Sequence, residues 1–152
     1  MTVLNMLAIG LLVTGAVVAT YVRFAPNDPA RWHVNIASVQ PATAGNCVDK
    51  VGALIGSAHA VCLLAQPAEA VLAKLDAIAI ATRRTTRLAG DANSGRITWI
   101  TRSAVWGFPD YTTAQAIQTP EGTRLEILAR LRYGKSDMGI NAARLRDWLT
   151  RL

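Results

Sequence analysis

The chain has 152 residues, 51% of them hydrophobic and 17% charged, a length that suits one domain with its own core and is short for two. Its formal charge of +6 raises the possibility of nucleic-acid binding. The arginines are scattered over several elements and no nucleic-acid module is present, so the basic balance points instead to anionic lipid headgroups or an acidic partner surface.

The first element predicted is a membrane anchor over residues 1–23. From Thr2 to Val22 there is no charged side chain. About 20 such residues at ~1.5 Å rise each cross the ~30 Å hydrocarbon core of a bilayer. A cleaved signal peptide is the competing reading, and Val17-Val18-Ala19 resembles a cleavage site, but the basic leader segment that a signal peptide carries is missing. Arg23 and Arg31 follow the segment with Asp28 between them, so the positive-inside rule favours a cytoplasmic domain. Cys47 and Cys62 are compatible with one disulfide in an oxidising compartment and equally with two free thiols.

Pro26 and Pro29 end the apolar helix in a turn-rich stretch. Trp32 in that stretch either joins Tyr21 and Phe24 at the bilayer interface or packs on the domain. Residues 24–65 are expected to be an irregular connector, with one short strand at most, and a stretch of that kind is suited to gripping a partner.

Pro67 and Glu69 suit the start of a helix that runs to about Thr82, with Val71, Leu72, Leu75, Ile78 and Ala79 on one face. Four strands are predicted next: Thr85 to Leu88, Arg96 to Trp106, Tyr111 to Gln118 and Thr123 to Tyr133. The short turns between them make antiparallel hairpins. A second amphipathic helix spans Met138 to Leu152, with Leu145, Trp148, Leu149 and Leu152 as its apolar stripe and Arg144, Arg146 and Arg151 on its wet side. Ser136 or Asp137 caps it. The predicted fold class is α+β: an N-terminal transmembrane helix, then over residues 66–152 a helix, a four-stranded antiparallel sheet and a C-terminal helix that together cover one apolar sheet face.

Trp106-Gly107-Phe108-Pro109-Asp110, Arg130-Leu131-Arg132-Tyr133-Gly134 and the run from Ser136 to Arg144 resemble the signature of domain-of-unknown-function family 1499, and Asn46-Cys47-Val48 resembles an upstream element of it. The chain departs from that family in lacking the further cysteine and serines that often surround the upstream element. The resemblance covers about Asn46 to the C-terminus. It implies a small exported or membrane-tethered domain, no agreed activity, and a place on the periplasmic side of a bacterial inner membrane, against the charge rule.

Catalytic constellations are sparse. His33, Cys47, His59 and Cys62 are four potential metal ligands, but only His59 and Cys62 form a close pair where structural zinc sites use two, so no metal is expected. No serine lies in a nucleophile elbow and no glycine-rich phosphate loop occurs, so neither catalysis nor a cofactor is expected. The one remaining constellation is Arg102, Arg130 and Arg132 with Asp137 and Asn141. It suits contact with an anion or a partner. Alternatively, Asp137 caps the last helix and pairs with one arginine while Asn141 closes the turn. The functional expectation is a non-enzymatic, single-pass accessory or stabilising subunit of a larger integral membrane complex, respiratory or photosynthetic, with a binding module for a lipid or small anionic ligand as the alternative.

Overall fold

The computed structural model describes residues 2–37, 42–43 and 45–152. The first helix, α1 (Val3–Phe24), has 22 residues, so at ~1.5 Å per residue it is ~33 Å long. It is the one helix among the described residues long and apolar enough to cross a membrane, by length and composition. Its apolar stretch is not covered by any part of the domain, and Val22 near its end is its one buried residue. A single turn of helix, α2 (Pro29–Trp32), follows, with Asp28 accepting from the Ala30 amide at 2.9 Å.

Beyond a 3-10 turn at Cys47–Lys50 the domain contains β1 (Gly52–Leu54), β2 (Ser57–Leu64), α3 (Ala68–Ala81), β3 (Thr85–Asp91), β4 (Arg96–Arg102), β5 (Pro109–Thr119), β6 (Gly122–Leu131) and α4 (Ile140–Arg151). The strands form one antiparallel sheet in the order β1-β2-β6-β5-β4-β3. The expected four-stranded sheet is thereby corrected to six strands. The two additional strands come from the stretch expected to be an irregular connector. Ser-Ala-His-Ala-Val-Cys-Leu-Leu is rich in alanine, which favours strands weakly, and it is held there by pairing along the whole of β6 from Ser57↔Arg130 to Leu64↔Thr123. Residues 38–41 and 44 of the expected connector, and Met1 of the expected anchor, lie outside the described residues.

Side-chain alternation divides the sheet into two faces. On one, Ala58, Ala60 and Cys62, Ile97 and Trp99, Ala114 and Ala116, and Leu125, Ile127 and Ala129 are buried beneath Leu72 and Leu75 of α3 and Leu145 and Trp148 of α4. Small alanines on the central strands let the helices approach closely, and the two tryptophans fill the remaining space edge to face, 5.6 Å between centroids. Each indole N–H has an acceptor, Trp99 Nε1 donating to Asp76 at 2.8 Å and Trp148 Nε1 to Thr82 at 2.9 Å.

The second face is covered by the chain that leaves α1. Trp32 stacks on Tyr111 with centroids 3.8 Å apart and planes 4° from parallel, which settles its place on the domain. Tyr111 donates to Asn27 at 2.5 Å, and His33 Nδ1 lies 2.9 Å from Thr98 Oγ1. Gly90 permits this approach: its φ is +81°, and a Cβ there would stand 2.7 Å from the His33 ring and 2.0 Å from the Arg96 carbonyl.

The structure joins Cys47 to Cys62, Cα atoms 5.5 Å apart, fastening the 3-10 turn to β2. Cross-linking a loop of 15 residues removes denatured-state entropy equivalent to ~3 kcal/mol. Replacing both cysteines by alanine is therefore expected to lower unfolding free energy by ~2–4 kcal/mol in denaturant titration, with the Cys47→Ala and Cys62→Ala single variants comparably affected.

His33 carries a pH dependence. Burial, and then the charge of Arg96, hold its pKa below the ordinary 6.5. The unfolded chain thus binds a proton that the folded chain resists, so this contribution to stability is present above the unfolded pKa and is lost as pH falls through it toward the folded value. Acidification from about pH 7 to about pH 5.5 should lower the melting temperature of the parent chain, and His33→Gln should flatten that part of the profile.

Candidate functional site

β4 ends at Arg102, and residues 103–108 return the chain to β5. Ser103 and Phe108 close that loop, the Ser103 amide donating to the Phe108 carbonyl at 2.9 Å and the Phe108 amide to Ser103 Oγ at 3.0 Å. Asp110 follows at the start of β5, in register with Leu131 at the end of β6. The chain then turns through Arg132–Gly139 into α4. The Asp137 carboxylate accepts from the amides of Gly139 at 3.1 Å and Asn141 at 2.8 Å, satisfying donors that a helix start leaves open. Around this turn lies a groove of about 680 Å³, lined among others by Arg84, Arg102, Phe108, Tyr133, Met138 and Arg144.

A polar network forms the inner wall of the groove. Arg144 Nη2 is 3.6 Å from Asp110 Oδ2 and also donates to Asn141 Oδ1. The Arg144 side chain is only 9% exposed. This corrects its expected place on the wet side of the last helix: the first turn of α4 lies over Asp110, which draws the guanidinium inward. Burial lowers the Arg144 pKa against the opposing pull of Asp110 and Asp137. Burial likewise lifts Asp110 above the ordinary carboxylate value, with Arg144 opposing and Asp137 reinforcing. Burial would also lift Asp137, but the Asn141 and Gly139 amides outweigh it and hold this carboxylate low. The Asn141 side chain faces the carboxylates of Asp110 and Asp137, and Arg144 Nε is buried without a hydrogen-bond partner.

Two neighbouring carboxylates pushed in opposite directions are what an acid–base pair would need. Here Asp137 is tied to backbone amides and Asp110 to Arg144, so both carboxylates brace the joint between β5 and α4. The lining sets Arg83, Arg84, Arg102 and Arg144 against Asp110, Asp137 and Asp147, so the cations exceed the carboxylates by one.

The five residues singled out from the sequence are not gathered into one site: Asp137 and Asn141 lie on the helix side of the sheet and Arg130 and Arg132 on the other. Arg102, Asp137 and Asn141 lie at or beneath the groove, and Arg102 Nη1 donates to the Gly107 carbonyl at 2.9 Å. Arg130 and Arg132 alternate with Leu131 and reach the second face. There Arg130 Nη2 donates to the Trp32 carbonyl at 2.7 Å and to Thr113 at 3.0 Å. Arg132 Nη1 donates to the Pro26 carbonyl at 2.8 Å and to Tyr111 Oη at 3.1 Å. Both therefore clamp the segment leaving α1. Of the four potential metal ligands, Cys47 and Cys62 form the disulfide, His59 lies in β2 and His33 packs near Gly90. Asp110 and Arg144 were missed as site residues. Their available signal was that both fall within the segments that carry the family resemblance.

The fold and groove define a small α+β domain, with a helix-backed antiparallel sheet, carried behind one apolar helix. The chain belongs to the family described as Protein of unknown function (DUF1499), which matches residues 38–152. No curated protein matches the chain. The family match begins after Trp32, so α1 and the segment docked on the second face lie outside it.

If the Asp110–Arg144 pair braces the fold, Arg144→Met should cost ~3–5 kcal/mol, because it leaves the partly buried Asp110 carboxylate uncompensated. The Asp110→Leu/Arg144→Met double variant should recover most of that loss in chemical unfolding.

Proposed function

We propose that this protein is a non-enzymatic, single-pass membrane protein that serves as an accessory or stabilising subunit of a larger integral membrane complex, respiratory or photosynthetic. The observation that carries the proposal is an apolar helix left uncovered by its own domain yet joined to it without slack. From Phe24 to Pro26 is two residues; Asn27 and Trp32 are held by β5 and β6, and Pro26 by Arg132 just past β6. Such a helix needs lipid or another helix around it, and its fixed exit presents the domain in one orientation to whatever lies beside it in the membrane.

The disulfide supports a domain on the oxidising, periplasmic side of a bacterial inner membrane, since such bonds persist there and are rare in reducing compartments. The opposing charge rule rests on Arg23 and Arg31. Arg23 lies beside Gly107 and Arg31 over the ring of its neighbour Trp32 at 5.2 Å, both of them exposed.

The alternative, a binding module for a lipid or small anionic ligand, is favoured by the arginine-lined groove. Trp99, Trp148 and their neighbours fill the centre of the space between sheet and helices, so a ligand in the arginine-lined groove sits at the surface.

Native membranes carrying the tagged chain should retain it through carbonate extraction, and intact mass should include residues 1–23. In mild detergent it should migrate with an integral complex well above the size of monomer plus micelle. Loss of the N-terminal segment in the mature protein would remove the anchor, and a free monomer would remove the accessory role.

A further inference from the structure

Among the described residues, six of the domain's eight exposed large apolar side chains gather at one end, the other two being Ile80 of α3 and Ile117 toward the far end of β5. Leu54 ends β1 and Ile55 begins the β1–β2 turn, Val105 and Trp106 lie in the β4–β5 loop, and Met138 and Ile140 at the entry to α4, all exposed, with Ile55 at 89% and Met138 at 88%. Strand register brings the three loops together. The Gly56 carbonyl accepts from the Leu131 amide at 3.1 Å, Leu131 pairs with Asp110, and Pro109 pairs with Arg102. The helix α1 departs from this same end: Arg23 lies against Gly107, and Arg132 and Tyr111 hold Pro26 and Asn27.

Charge follows the same polarity. Arg83, Arg84 and Lys135 are exposed at this end and Arg102 is half-exposed. At the opposite end Asp91 and Glu121 are exposed at the β3–β4 and β5–β6 turns, and the basic residue beside them is Arg96, half-buried and paired opposite Asp91. Exposed apolar groups ringed by cations match an anionic lipid surface, which takes tryptophan and aliphatic side chains at the headgroup level and pairs arginine and lysine with phosphates.

We propose that this end of the domain docks on the bilayer, with Leu54, Ile55, Val105, Trp106 and Met138 entering the interfacial layer and Arg84, Arg102 and Lys135 binding anionic headgroups. The inference rests on α1 being inserted, as proposed above, and adds that the domain lies down on the membrane instead of standing clear of it. The short, fastened connection favours lipid over a protein partner here, because insertion of α1 brings this end to the bilayer surface before any partner arrives.

Trp106 supplies the test. It is 52% exposed, whereas Trp32, Trp99 and Trp148 are 8% exposed or less. The full chain is reconstituted into phosphatidylcholine vesicles with and without phosphatidylglycerol, and fluorescence is quenched either with lipids brominated near the headgroup or with aqueous iodide. The expected result is a bromolipid-quenched component that is absent from Trp106→Phe and is strengthened by phosphatidylglycerol. An Arg84→Gln/Lys135→Gln variant should lose that strengthening while keeping its fold, since both side chains are exposed. A chain that floats with the vesicles while Trp106 stays open to iodide and untouched by bromolipid overturns the docking and leaves the anchor intact. Protection of Trp106 in native membranes but not in lipid vesicles overturns it in favour of a protein partner. A chain that does not float overturns both docking and anchor.

Discussion

The stack of Trp32 on Tyr111 is the contact on which the relation between helix and domain depends. A six-stranded sheet has two faces to cover, and this chain has two long helices for one of them. The other is covered by a short segment whose indole lies flat on the central strand β5. The stacking adds ~0.5–1.5 kcal/mol beyond the area it buries. The Trp32 and Pro26 carbonyls, which have few partners in so short a segment, accept from Arg130 and Arg132. Charge-assisted bonds of this kind are worth ~1.5–3 kcal/mol each, and each arginine would be costly to leave unpaired. The guanidinium of Arg130 also lies over the Trp32 ring, 5.4 Å from its centroid, so charge and stacking reinforce one attachment.

That attachment determines what the rest of the molecule presents. Because β5 and β6 hold the exit of α1 on one face, the loops at that end of the strands stand beside the helix. Those loops are the ones with the groove and the exposed apolar residues. The Asp110–Arg144 pair then fixes the first turn of α4 against β5 on the helix side of the sheet, as the arginine clamp fixes the exit segment on the other. One end of the domain is thus braced from both faces. Bracing of this kind holds loop side chains in one geometry toward whatever they meet, which a freely moving loop does only at an entropic cost.

What the sequence disclosed follows from how local each signal is. α3, β3 to β6 and α4 were legible because their periodicity and turns are contained within each segment: Val71, Leu72, Leu75 and Ala79 mark one helix face, and Gly122 and Gly95 lie at hairpin turns. β2 was hidden because Ala58, Ala60 and Cys62 are small residues chosen for helix approach, and their strand state depends on β6, more than sixty positions away in sequence. The candidate cluster was half legible for a similar reason. Alternation along β6 puts Arg130 and Arg132 on one face, but only the fold shows that Asp137 and Asn141 stand across the sheet from them. Arg144 was misread because amphipathic spacing cannot distinguish a wet arginine from one drawn under its helix by a carboxylate on a distant strand.

The same distinction bears on the side of the membrane. The positive-inside rule concerns basic residues flanking a span during insertion, and it is strongest for several such residues in a short loop. This chain offers two, Arg23 beside Gly107 and Arg31 above its neighbour Trp32, both exposed. Two such residues, with Asp28 between them, give that rule little to act on. Cys47 and Cys62 give more, for a 3-10 turn lying over β2 is covered as well by alanine or valine as by half-cystine, and what the cysteines add is a cross-link that a reducing compartment would not maintain. On the reading proposed here the covalent bond outweighs the two charges, because it depends on the compartment and they do not.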